Sequence, residues 1–319
     1  MTELLTTIIS ATFFFAVIRT TVPLLLAALG GLLAELSGAL NVALEGMMLS
    51  AALTAVIVSA SYPWWIGLLA GVLVGMALGA VMALFHLRFA ADVVLVGFAI
   101  NLMAAGGTVF ILAQATGGDR GTSLALPSKS IPRLSLSWLG AIPGVGGTLE
   151  AALSGHSYLT WATVILVAGI WFMLYRTATG LRLRAVGEYA PAAAAAGISP
   201  DQMRALGLIL SGALAALGGV QLAMFNYIGF TRDMTAGRGF IALGAVLLGA
   251  RRPGGVAIAA LLFGAFEALA IALPALYANI PGELIHSIPF VVTLVALVIY
   301  ARRAQLLTRR RVAGVEGAT

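Results

Sequence analysis

Cysteine is absent from this 319-residue chain, lysine occurs once, at Lys129, and charged residues make up only 9%. The missing thiols exclude disulfides and thiolate metal sites, and leave the redox compartment open. No G-x-x-x-x-G-K-[ST] phosphate loop occurs, so the chain has no P-loop of its own. H-E-x-x-H and G-x-S-x-G are missing too, and His86, His156 and His286 are far apart in sequence. Neither a metal centre nor a serine-hydrolase site is expected from that pattern. A water-facing surface takes roughly a quarter of all residues as charged ones, which this composition cannot supply.

What is present is apolar: the hydrophobic fraction is 61% and the mean hydropathy +1.04. The chain therefore reads as an all-α polytopic membrane protein. Continuous apolar runs fall at about 4–18, 21–36, 40–60, 64–85, 93–114, 158–175, 205–225, 236–250, 254–273 and 284–300. They are too long and too uniform for barrel strands, and at about 20 residues per span the length allows on the order of ten helices. The runs 21–36 and 236–250 are short, as tilted, broken or re-entrant segments are. Met1–Ser10 lacks a basic region and a small-residue cleavage site, so the first run reads as a retained helix.

The net charge of +6 is no nucleic-acid signature, because the arginines fall in short clusters between apolar runs. Arg88, then Arg176, Arg182, Arg184 and Arg204, then Arg251 and Arg252, then Arg302, Arg303 and Arg309–Arg311 all reach one side if ten spans alternate. The positive-inside rule makes that side cytoplasmic and puts both termini there. Residues 1–319 then form a single membrane domain with two long loops. The external one, 116–157, is rich in Gly and Pro; the cytoplasmic one, 176–204, carries Ala192–Ala196 between Pro191 and Gly197. Pro at a first turn, an alanine run and a terminating Gly predict a short surface helix.

An internal repeat is also visible. L-A-A-L-G-G stands at Leu26–Gly31 and at Leu214–Gly219, and Asn41–Ala51 is similar to Phe240–Ala250. The copies run in opposite directions in this topology, the pattern of an inverted repeat with a transport pathway between its halves. A chain this rich in Ala, Leu and Gly also matches itself by chance.

Polar groups inside the apolar runs are the candidate site. Asn41 and Glu45 lie four residues apart and share a helix face; they suit pathway lining or a gate, or else a hydrogen-bonded clasp that fixes a helix break. Asn101 is well inside its run and either joins helices or lines a pathway. Glu267 is mid-span, where a carboxylate needs a partner or a cavity. Asp92 reads as a helix start. So few charged groups suit a carrier of a neutral polar solute better than an ion-coupled relay. Trp64, Trp65 and Tyr227 near the outer boundary suit membrane anchoring or base stacking.

Four motifs in order carry a resemblance: G-A-L-N-V-A-L-E-G-M-M-L at 38–49, F-A-I-N-L at 98–102, G-L-R-L-R-A-V-G-E at 180–188 with A-A-G-I at 195–198, and T-A-G-R-G-F-I-A-L at 235–243. From about Pro23 to Arg303 the chain resembles permease subunits of ATP-binding-cassette importers. Its nearest likeness is to the nucleoside and simple-sugar group working with a basic-membrane-protein type lipoprotein, and more distantly to ribose and branched-chain amino-acid permeases. The resemblance implies a type II-like fold of ten helices, and partners: a second, longer permease paralogue, two cassette ATPases and an extracytoplasmic binding lipoprotein. It also implies that ATP is bound by those ATPases, with no cofactor, metal or catalytic residue in this chain. Arg184, Gly187, Glu188, Ala192, Ala193 and Gly197 would dock on the ATPase. The family's G-E-N-P is here Gly187-Glu188-Tyr189-Ala190, with Pro191 one place later, which alters the expected turn. Asn41, Glu45 and Asn101 match the family's intramembrane polar positions. The function implied is import of nucleosides; the alternatives are import of simple, ribose-like sugars and an ion-coupled secondary transporter. A membrane-embedded enzyme is the weakest reading, since no catalytic set converges.

Overall fold

A computed structural model describes residues 10–276 together with Val291 and Val298. Its helices are α1 (Ala11–Leu36), α2 (Leu44–Ser61), α3 (Trp64–Arg88), α4 (Val93–Thr116), α5 (Gly146–Leu153), α6 (Tyr158–Arg176), α7 (Ala178–Ala195), α8 (Pro200–Gln221), α9 (Arg238–Leu248) and α10 (Pro253–Leu276). A π-helical turn, Leu222–Asn226, extends α8. Among the described residues seven helices are long and apolar enough to cross a membrane, and α9 is a shorter apolar one.

The helix starts follow the sequence chemistry. Asp92 accepts from the Val94 and Leu95 amides, Ser157 from Thr160, Thr177 from Gly180 and Ser199 from Gln202. Each supplies an acceptor to otherwise unpaired first-turn donors. Asp92 is thus the helix start expected of it.

One expectation is corrected at the beginning of the chain. The runs 4–18 and 21–36 are read from sequence as two spans; within the described residues 11–36 form one unbroken helix. The polar step Arg19-Thr20-Thr21 does not break it, because its groups find partners on neighbouring helices. Arg19 donates to the Asn226 carbonyl, Asn226 donates back to the Arg19 carbonyl, and Thr20 Oγ1 donates to the Gly264 carbonyl. The expected placement of both termini, and nearly all of the run 284–300, lie outside the described residues.

α1, α2 and α8 make the centre, where Leu26, Leu29, Leu32, Leu44, Met47, Met48 and Val220 are fully buried. α1 and α8 run antiparallel: Gly30 lies against Ser211 and Gly218 against Pro23. The two L-A-A-L-G-G copies are therefore packed together in opposite directions. α3 lies along α8 through a glycine stripe. Gly67, Gly71, Gly75 and Gly79 face inward, with Gly75 against the Gly212 backbone and Gly79 against Leu208. Any side chain at Gly75 or Gly212 would collide with main chain, so these glycines set the helix separation.

The ends of α1 and α3 and the start of α8 meet at one end of the bundle. There Gly79 lies against Leu208, Gly187 against Leu36, Gly38 near Arg204, and Arg251 pairs with Glu35, so the arginine clusters around Arg88, Arg184, Arg204 and Arg251 gather there. At the other, the segment after α4 folds over the site. Arg133–Leu134 pairs antiparallel with His156–Ser157, and Thr122 bridges Thr231. Ser10 begins α1 at this second end, where Phe15 stacks on His156 at 4.2 Å between centroids.

Candidate functional site

The site is built around α9, a helix of 11 residues that starts inside the bundle. It reaches that depth because Tyr227–Gly237 descends as irregular chain from the end of α8. Ile228, Asp233 and Ala236 hold positive φ of 51°, 57° and 44°, and Gly229 and Gly237 are positive too. Three side-chain-bearing residues in the left-handed region cost roughly 1–3 kcal/mol each, so surrounding contacts must hold the segment. The run 236–250 is thus a half-length helix, matching its short apolar stretch.

Gly237 has no side chain with which to cap α9, and Glu45 supplies the cap from α2. Its Oε1 accepts from the Gly237 amide at 2.8 Å and its Oε2 from the Gly239 amide at 2.6 Å. A carboxylate on a helix N-terminus joins charge-assisted bonds to a favourable dipole interaction. Glu45 is only 9% exposed, and Gly239 packs directly on its backbone.

Two asparagines fix the start of α2. Asn101, on α4, accepts from the Gly46 amide at 2.8 Å and donates to the Val42 carbonyl at 2.9 Å. Asn41, fully buried, donates to Ser211 Oγ on α8 at 2.8 Å and to Met47 Sδ, and accepts from the Ala43 amide at 2.9 Å. Asn41 and Glu45 do not share the helix face expected of them, because α2 begins only at Leu44 and Asn41 lies in the turn before it. With Asn101 they instead converge on one turn, 37–46, and tie it to α4, α8 and α9.

Glu267, on α10, lies on the other side of α9. Its Oε1 accepts from Arg238 Nε at 2.9 Å and also from Arg238 Nη2. Arg238 spends its remaining donors on the Met234 and Thr235 carbonyls and the Tyr227 hydroxyl. It is thereby the staple that ties the strained segment to α10. Glu267 stands out from sequence, but nothing there joins it to Arg238; an arginine at the start of a short apolar run is the signal that could have done so. Glu267 faces a cavity of about 340 Å³ walled by the strained segment, α9 and α10.

The expected coupling residues lie on α7 and, for Gly197, in the turn that follows it. Tyr189, with φ −156° and ψ 94°, breaks it into 178–188 and a short helix through Ala195. Pro191 opens that second piece, and Gly197, at φ 79°, follows its end, as its sequence predicts. Gly187 presses on the Leu36 carbonyl at the end of α1, so no side chain fits there. Ala193 is buried, Glu188, Ala192 and Gly197 are exposed, and Arg184 stacks on Tyr175 with 4.9 Å from guanidinium carbon to ring centroid. Tyr189 (65%) and Leu181 (61%) are also exposed on this element. Among the described residues no group of three His, Cys, Asp or Glu is placed to hold a metal ion.

The family model described as branched-chain amino acid transport system / permease component matches residues 13–298. The guanosine ABC transporter permease NupQ of Bacillus subtilis is 33% identical over 316 residues, 95% of this chain and 94% of that one. The nucleoside ABC transporter permease NupC of Lactococcus lactis is 31% identical, covering 88% of this chain and 90% of that one. A Haloferax volcanii permease named for glucose, TsgC13, is 32% identical over 80% of this chain and 75% of its own. Among solved structures, an inward-facing ABC transporter assigned to the metal-chelate type matches 90% of this chain and 84% of its own, with a TM-score of 0.50 and 16% identity, a likeness of fold. On the family match and these identities, the chain belongs to the permease-component family of the branched-chain amino acid transport systems and is a membrane permease of an ATP-binding-cassette importer.

Proposed function

We propose that this chain forms half of the membrane channel of a nucleoside importer in a bacterial plasma membrane. The observation that carries the reading is the 33% identity across 95% of the chain to a guanosine permease; the nucleoside permease at 31% supports it. The arginine-rich end faces the cytoplasm, in keeping with the positive-inside rule, and the segment after α4 faces outward to an extracytoplasmic binding lipoprotein. A second, longer permease paralogue completes the channel. ATP is bound and hydrolysed by two separate cassette subunits that dock on α7, and this chain performs no catalysis.

The mechanism runs along contacts already described. Closure of the ATPases displaces the exposed face of α7, and Gly187 bears on the Leu36 carbonyl. The turn that follows carries Asn41 and Glu45, and Glu45 holds the N-terminus of α9. Movement at α7 therefore shifts the wall of the cavity beside Glu267. Solute and binding protein bias this switch only through different affinity for its two states. Sugar import is the second reading, supported by the permease named for glucose. Deleting the chain's gene in its host and measuring uptake of labelled guanosine, ribose and glucose separates the two. Loss of guanosine uptake alone supports the nucleoside reading; loss of sugar uptake alone overturns it.

A further inference from the structure

The cavity beside α9 opens between the strained segment and α10, with Arg238 and Glu267 at its inner side and exposed residues such as Tyr227 and Ile271 at its rim. Its wall holds two acidic and two basic side chains, Asp233, Glu267, Arg232 and Arg238, which sum to no net charge. The wall as a whole therefore carries no excess charge to collect ions of one sign. Charged groups among apolar helices face a cavity or each other, and the part-buried pair Arg238 and Glu267 does both. At about 340 Å³ it falls in the range of small-molecule sites. It is bounded by a discontinuous helix and strained backbone, features that collect at binding sites in transporters.

The hydrogen-bond inventory narrows the ligand. All five N–H groups of Arg238 are directed at protein acceptors, and both of its contacts with Glu267 fall on Oε1. Among the described residues Oε2 of Glu267 accepts no hydrogen bond. The Tyr227 hydroxyl accepts from Arg238 at 3.4 Å, which leaves its own proton to donate. A free carboxylate acceptor next to a free phenol donor matches groups that both donate and accept, as hydroxyls do. The Tyr227 ring is 52% exposed and offers a flat apolar face.

We propose that this cavity is the intramembrane resting site of the solute, and that it binds the vicinal hydroxyls of a nucleoside's ribose through Glu267 Oε2 and the Tyr227 hydroxyl. The nucleoside part of this inference rests on the function proposed above. The natural absence of cysteine makes the test direct. Ile271→Cys, on the cavity wall and 56% exposed, is introduced into the complete complex, with Thr231→Cys, exposed on the same wall, as a second reporter, and labelled with a maleimide. Guanosine at ten times its dissociation constant should slow labelling about tenfold, whereas 2′,3′-dideoxyguanosine should not. Tyr227→Phe should raise the guanosine concentration for half protection by about tenfold, one lost hydrogen bond. Labelling unaffected by guanosine, equal protection by the dideoxy analogue, no labelling with or without ATP, or an unchanged Tyr227→Phe titration each overturn the assignment. Uptake by the unmodified complex separates the two proposals. Guanosine uptake without protection sinks the site alone; protection by ribose with no guanosine uptake keeps the site and sinks the nucleoside reading.

Discussion

Replacing Glu45 by glutamine changes neither size nor shape, yet removes a charge and one of two acceptors. Both carboxylate oxygens are in use, at 2.8 and 2.6 Å from the Gly237 and Gly239 amides. A glutamine satisfies one amide and turns an NH₂ towards the other. An orphaned buried donor costs about 1–3 kcal/mol, and the lost carboxylate–dipole attraction adds about 0.3–2 kcal/mol. A total near 3 kcal/mol shifts the balance between seated and unseated α9 by on the order of a hundredfold. Glu45→Asp keeps the charge on a shorter stem and should fall between. The assay is thermal unfolding of the complex in nanodiscs together with its solute-stimulated ATP hydrolysis. The expected order in both is Glu, then Asp, then Gln; a Glu45→Gln complex that matches the wild type in both refutes the clasp.

Three further outcomes are expected. Gly75→Leu should prevent recovery of folded protein, because Gly75 meets the Gly212 backbone, while Gly169→Leu, with nothing within 4 Å, should be tolerated; detergent size-exclusion profiles compare them. Gly187→Val should separate basal from solute-stimulated ATP hydrolysis, since its side chain would displace the Leu36 carbonyl; equal stimulation in both proteins contradicts the coupling route. Burial, with a smaller contribution from Arg19, holds the His156 imidazole below its usual range despite the Ala152 carbonyl. A depressed histidine stabilises the fold above its unfolded pKa of about 6.5, and that stability is lost as pH falls from there through the folded value. The melting temperature should therefore drop towards about pH 5 more steeply for the wild type than for His156→Gln.

The membrane class, most helices and the short helix after Pro191 were legible because each rests on local chemistry: unbroken apolar runs, an N-cap such as Asp92, a terminating Gly197. Merging of the first two runs was not, since Arg19 and Thr20 look like an interruption until Asn226 and Gly264 satisfy them from more than 200 residues away. The same holds at the site. Glu45, Asn101 and Glu267 stand out as polar groups in hydrocarbon, but their partners are backbone amides of Gly237, Gly239 and Gly46 and the side chain of Arg238. Backbone donors carry no sequence signature, so only the fold reveals what these side chains hold.

The central claim is ATP-driven nucleoside import through a channel half formed by this chain. Proteoliposomes holding this permease, its paralogue and the two ATPases, supplied with the binding lipoprotein, test it by uptake of labelled guanosine. Uptake is predicted only with all components and ATP inside. Uptake by this chain alone under an ion gradient, or none by the complete complex with ATP, contradicts the account.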